Sequence, residues 1–86
     1  MKLKKELYLR NVCGEYILVP VGKAVEDYNG LFNLTESGAM IFQGIESGKE
    51  KEEILAELLD TFDVDEETAQ RDISEFIATL EQFGIL

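Results

Sequence analysis

The hydrophobic rhythm of this chain changes once, at Leu34-Thr35, and that change constrains the fold more than any other feature. Before it, apolar and polar residues alternate, as in half-buried strands. After it, apolar residues recur every three or four positions, as in amphipathic helices. Two rhythms on either side of one boundary predict an α+β fold, in which a sheet and a helical layer share one core. With 86 residues there is room for a single domain, 1–86. A chain of this size buries only about 60% of its unfolded surface, so neither layer is stable without the other.

In the first half, Glu6 to Val12 reads as a strand with Leu7 and Leu9 on one face and Tyr8 and Arg10 on the other. Cys13-Gly14 is a tight-turn signal, because glycine accepts positive φ. Glu15 to Val21 is the second strand, and Pro20, which donates no hydrogen bond, is expected near its end or at a bulge. Gly22 permits such an irregularity. Asn29-Gly30 is the strongest hairpin signal and predicts a turn into a short third strand, Leu31 to Leu34. The expectation is a three-stranded antiparallel meander that needs helices over its apolar face.

In the second half, Thr35 is a good N-cap for a helix from Glu36 to about Glu46, with Ile41, Phe42 and Ile45 inward. Ser47-Gly48 ends it. A second helix covers roughly Glu50 to Phe62, with Ile54, Leu55, Leu58, Leu59 and Phe62 as its stripe. The third and longest starts at the Asp65 cap and continues to about Phe83 before Gly84. Its apolar stripe is Ala69, Ile73, Phe76, Ile77, Leu80 and Phe83. Ile85 and Leu86 are expected to fold back onto the core.

Charge separates the same two halves. The chain carries a formal net charge of −10. Residues 1–35 hold five basic and four acidic side chains, whereas residues 36–86 hold three basic and fourteen acidic ones. Nucleic acid and anionic membranes need a basic footprint, so neither is expected as a partner. With no histidine, histidine acid-base catalysis and histidine metal ligation are excluded. One cysteine supports neither an internal disulfide nor a thiolate cluster. No apolar run has the length of a signal peptide or a membrane span, and the lone Cys13 suits a reducing compartment, so a cytoplasmic location is expected.

Motifs that suggest chemistry do not survive inspection. Gly44 to Lys49 resembles a phosphate loop, but three residues rather than four separate its glycines, and Glu50 follows the lysine. Asp63, Asp65 and Glu67 alternate like calcium ligands, but Thr68 and Ser74 stand where an EF-hand needs glycine and a bidentate glutamate. Only Arg10 lies near Cys13 to activate it, which favours a passive turn cysteine. Ser37 has no histidine base. Pairs such as Glu52-Glu53 read as a solvated face. No enzyme, cofactor or metal site is expected.

What remains is a binding surface. Leu31, Phe32, Asn33 and Leu34 carry no charge and no proline, the usual protections of a strand edge. Either the helices cover this edge, or a peptide pairs with it as an added strand.

The join, Leu34-Thr35-Glu36-Ser37-Gly38-Ala39-Met40-Ile41-Phe42, resembles the Leu-Asn-Glu-Thr-(Gly/Ala)-x-x-Ile-Trp pattern of the PqqD family. That family comprises the recognition elements for precursors of ribosomally made, modified peptides. Glu53-Ile54, Leu58 and Phe62-Asp63-Val64-Asp65 are similar to its Glu-Ile, Leu and Tyr-Asp-Val-Asp. Asp72-Ile73, Phe76-Ile77, Leu80 and Gly84-Ile85-Leu86 are similar to its closing segment. Arg10-Asn11-Val12 with Glu15 to Val19 resembles its first hairpin. The resemblance covers nearly the whole chain, and the join and the Gly-Ile-Leu ending are its most specific parts. Thr35 replaces asparagine, Phe42 replaces tryptophan, and Glu50 stands where the family often has a threonine cap.

The resemblance implies a winged helix-turn-helix-like fold, a three-stranded antiparallel sheet followed by a three-helix bundle, acting as a peptide chaperone. The leader peptide of a precursor adds beside the third strand and against the third helix. The core peptide is then presented to a modifying enzyme, often a radical S-adenosylmethionine enzyme. Residues expected to bind are Leu31, Phe32, Asn33 and Leu34 on the strand, and Arg71, Asp72, Glu75 and Thr79 on the helix. Arg71, the one cation of that helix, is expected to pair with an acidic leader residue, and the acidic helices to face a basic enzyme surface. A DNA-binding winged helix would need a basic recognition helix, which this is not. An acyl carrier would need Asp-Ser-Leu opening a helix, of which Glu36-Ser37-Gly38 is a poor copy.

Overall fold

A computed structural model describes residues 2–22, 24–27 and 32–86 of the chain. Its elements run β1 (Leu7–Val12), β2 (Glu15–Pro20), α1 (Ala24–Asp27), β3 (Phe32–Leu34), α2 (Glu36–Glu46), α3 (Lys51–Thr61) and α4 (Glu66–Gln82). The expected three-stranded antiparallel sheet followed by three helices is present, with strand order β1-β2-β3.

The β1–β2 turn follows from its residues. Cys13 and Gly14 both have positive φ, +54° and +83°, the mirror-image turn that matches strand twist. The Asn11 side chain braces it by accepting from the Gly14 amide at 3.1 Å. This sets the register, Val12 opposite Glu15, Leu9 opposite Leu18 and Leu7 opposite Pro20. Pro20 closes β2, where its missing donor disturbs no ladder interior.

One feature of the first half differs from expectation. A single helical turn, α1, interrupts the all-strand region, and its Ala24 is buried. Val21 and Gly22 start it by accepting from the Ala24 and Val25 amides. The predicted Asn29-Gly30 turn and Leu31 lie outside the described residues.

Leu7, Leu9, Leu18, Phe32 and Leu34 share one sheet face, and the helices cover it. Beneath them Phe42, Ile41, Ile54, Leu58 and Ile85 are almost completely buried. Phe42 fills the core position that the family gives to tryptophan. A Cβ on Gly44 would lie 2.7 Å from Ile54 Cγ1, so glycine is what lets α2 approach α3. The phosphate-loop resemblance is therefore a packing contact and a helix exit, and Lys49 beyond it forms an ion pair with Glu57.

The helix starts are as expected. Thr35 Oγ1 accepts from the Gly38 amide at 3.1 Å, and Asp65 Oδ1 from the Thr68 amide at 2.8 Å. Asp65 thus caps α4. Glu50 caps α3 in a reciprocal arrangement with Glu53, whose carboxylate accepts from the Glu50 amide at 3.3 Å. The chain end folds back. The Ile85 amide donates to Leu80, and Ile85 in turn accepts from Lys4. Among the described residues, no helix is long and apolar enough to cross a membrane.

Candidate functional site

Sheet order places β3 at an edge. It pairs with β2 on one side, and among the described residues no strand lies on the other. Tyr16, Ile17 and Leu18 of β2 oppose Leu34, Asn33 and Phe32. Phe32 and Leu34 therefore point to the helical side and Asn33 to the outer face, where it is exposed.

α4 is related to this edge through two approaches that run in reverse order along the two elements. At one end the Phe32 and Phe83 rings meet edge to face, with centroids 5.2 Å apart. Further on, a Cβ at Gly38 would lie 3.5 Å from the Phe76 ring and 3.7 Å from Leu34 Cβ. Beyond that, Ser37 and Gly38 of α2 face Asp72, Glu75, Phe76 and Thr79 of α4 across an open groove of about 320 Å³. A second hollow, about 570 Å³, lies at the sheet end and is lined by Asn33, Leu34, Thr35 and Glu36 with β1–β2 turn residues. Thr35 borders both.

The expected site residues thus fall into two sets. Phe32, Asn33 and Leu34 form the strand edge, and Asp72, Glu75 and Thr79 line the groove beside it. Leu31 lies outside the described residues. Arg71 is exposed and is not among the residues that line the groove, although it lies one turn before Glu75. Its charge acts on the helix start. The Asp65 carboxyl is held below its ordinary range mainly by hydrogen bonds from the Thr68 hydroxyl and amide, with Arg71 adding a smaller pull.

Phe76 and Phe83 were expected in the core stripe; Phe76 packs against the core and also lines the groove, whereas Phe83 does neither. Phe76 is half-buried and Phe83 is 45% exposed. A signal for this was available, because both sit at the margin of the apolar stripe nearest Asp72 and Thr79 on the helical wheel. An open strand edge beside such a groove can hold an extended chain. Backbone groups pair with the edge, and every second side chain enters the groove.

The family described as Coenzyme PQQ synthesis protein D (PqqD) matches residues 15–86. No curated protein matches the chain. Among solved structures, TbiB1 in complex with the TbiA(beta) leader peptide is similar at a TM-score of 0.77 and 26% identity, over 100% of this chain and 94% of that one. Lasso peptide synthetase B1 complexed with the leader peptide is similar at a TM-score of 0.75 and 19% identity, over 98% and 93%.

Proposed function

This chain belongs to the PqqD family, and we propose that it is a non-catalytic recognition domain for the leader of a ribosomally made precursor peptide. The leader adds to β3 as a fourth strand by β-augmentation, with alternate side chains in the groove against α4. Holding the leader keeps the core peptide at high effective concentration near a modifying enzyme. The proposed enzyme class includes radical S-adenosylmethionine enzymes.

The observation that carries this reading is the β3 edge, terminal in the sheet, leading at Thr35 into the groove between α2 and α4. The first structural neighbour, 26% identical over the whole chain, is itself a complex with a leader peptide. The proposed contacts are Leu31, Phe32, Asn33 and Leu34 on the strand, and Asp72, Glu75 and Thr79 in the groove, to which Phe76 and Phe83 are added. Arg71, on the solvent side of α4, is proposed to meet an acidic leader residue that lies outside the groove.

The test is a titration of the precursor encoded beside this gene into isotope-labelled protein. Amide shifts are expected at residues 32–34 and along 72–83. Shifts confined to α3 or to the outer sheet face would overturn the assignment.

A further inference from the structure

We propose that Asp72 and Glu75 make the groove selective for a cationic leader residue, set about four positions before an apolar one. This rests on the strand-addition reading above and gives it a sequence preference.

The groove side of α4 is polarised along its length. Toward its C-terminal end, beyond the groove lining, Phe83 meets Phe32 edge to face. Its middle holds Phe76 against Gly38, with Thr79 beside them. Its far end carries the carboxylates of Asp72 and Glu75. No lysine or arginine lines this groove, and among the described residues neither carboxylate is in an ion pair. Arg71, next in sequence, is not among the residues that line it. A peptide cation entering here meets two carboxylates, and no lysine or arginine of the lining competes for them. A peptide carboxylate meets like charge beside an apolar wall that screens poorly.

Spacing follows from two rises. Asp72 to Phe83 spans about 16 Å at 1.5 Å per helical residue. A strand covers that length in about five residues, of which three alternate side chains face the helix. The order follows from direction. β3 runs opposite to α4, so a strand added antiparallel to β3 runs with α4. Its first inward residue lies at Asp72 and Glu75, its second at Phe76 and Thr79, and its third at Phe83. The preferred segment is Lys or Arg, any residue, an apolar residue, any residue, then an apolar or aromatic residue.

The test uses a random twelve-residue peptide library displayed against the intact chain and, separately, against the double variant Asp72→Lys with Glu75→Lys. The expected result is enrichment of Lys or Arg followed by apolar residues two and four positions later, and of Asp or Glu at the first position with the reversed variant. For one enriched peptide, Asp72→Asn with Glu75→Gln is expected to weaken binding about fivefold, the size of one partly exposed ion pair. These neutral, near-isosteric changes keep the fold testable by unchanged circular dichroism should the reversed variant fail to fold. Enrichment of the apolar spacing without charge preference in either protein would overturn this inference and leave strand addition standing. Enriched peptides that leave the β3 amides unshifted would overturn the reading beneath it.

Discussion

Two sides of one helix carry different duties. Toward the core, α4 presents Ala69, Ile73, Ile77 and Leu80, all buried. Toward the β3 edge it presents Asp72, Phe76, Thr79 and Phe83, none of them fully buried. Both sides contain large apolar residues, so hydrophobicity alone does not separate them. What separates them is the neighbouring layer. The core side meets the other helices and the sheet, whereas the edge side meets a three-residue strand at the rim. Apolar surface left half-covered beside an open edge is a place for another chain to complete.

The most severe way to challenge this contrast is on the core side. Leu80→Ala removes a buried side chain at the residue whose backbone carbonyl accepts from the Ile85 amide of the returning chain end. A loss of about 2–5 kcal/mol is expected, read from the urea midpoint. At a temperature where the variant is still folded, peptide affinity should be unchanged. Phe83→Ala is the counterpart on the other side. It removes a half-exposed ring and the edge-to-face pair with Phe32, and about 1–2 kcal/mol of stability is expected to go. Its peptide affinity should fall far more than that of Leu80→Ala. Equal stability losses in the two variants would show that the two sides are one core.

A smaller effect is expected at the junction between the layers. Thr35→Ala removes the hydroxyl that accepts from the Gly38 amide, at a cost of about 1 kcal/mol. Thr35 borders both hollows, so amide exchange should rise at residues 36–39 and leave the second half of α4 unchanged.

Local chemistry made most of the fold legible in advance. Caps such as Thr35 and Asp65, the Cys13-Gly14 turn and the spacing of Ile73, Ile77 and Leu80 each act within a few residues. Sequence alone is enough to read them. The single turn of α1 escaped because four residues carry no helical period. Phe83 was misread because periodicity reports the angle around a helix but not what stands opposite that angle. Its exposure depends on β3 being short and terminal in the sheet, a property of strand order. The same limit governs the site. Asp72, Glu75 and Thr79 were placed on one side of the helix by spacing, and the groove they line was visible only once α2 and its Thr35 cap stood beside them. Arg71 was grouped with them by proximity on the wheel; it does not line the groove, and it adds a small pull on the Asp65 carboxyl.

That start offers the finest test, because it anchors both sides of α4 at once. The Asp65 carboxyl lies below its ordinary range, chiefly through the Thr68 hydroxyl and amide, with Arg71 contributing less. A carboxyl whose folded pKa is depressed contributes stability that is fully present above its unfolded value, about 3.9. That contribution is lost as pH falls through the lower folded value. Asp65→Asn keeps a capping oxygen but removes the charge, so it isolates this term from the cap itself. Near neutral pH the variant should be slightly the less stable in urea. The two proteins should converge as pH drops below 3.9. Because the carboxylate is fully exposed, the difference should be small and should shrink further with added salt. A gap between the two that persists unchanged into acid would mean the asparagine disturbs the cap geometry itself. The charge would then have no part in holding the first turn from which both the core side and the groove side of α4 begin.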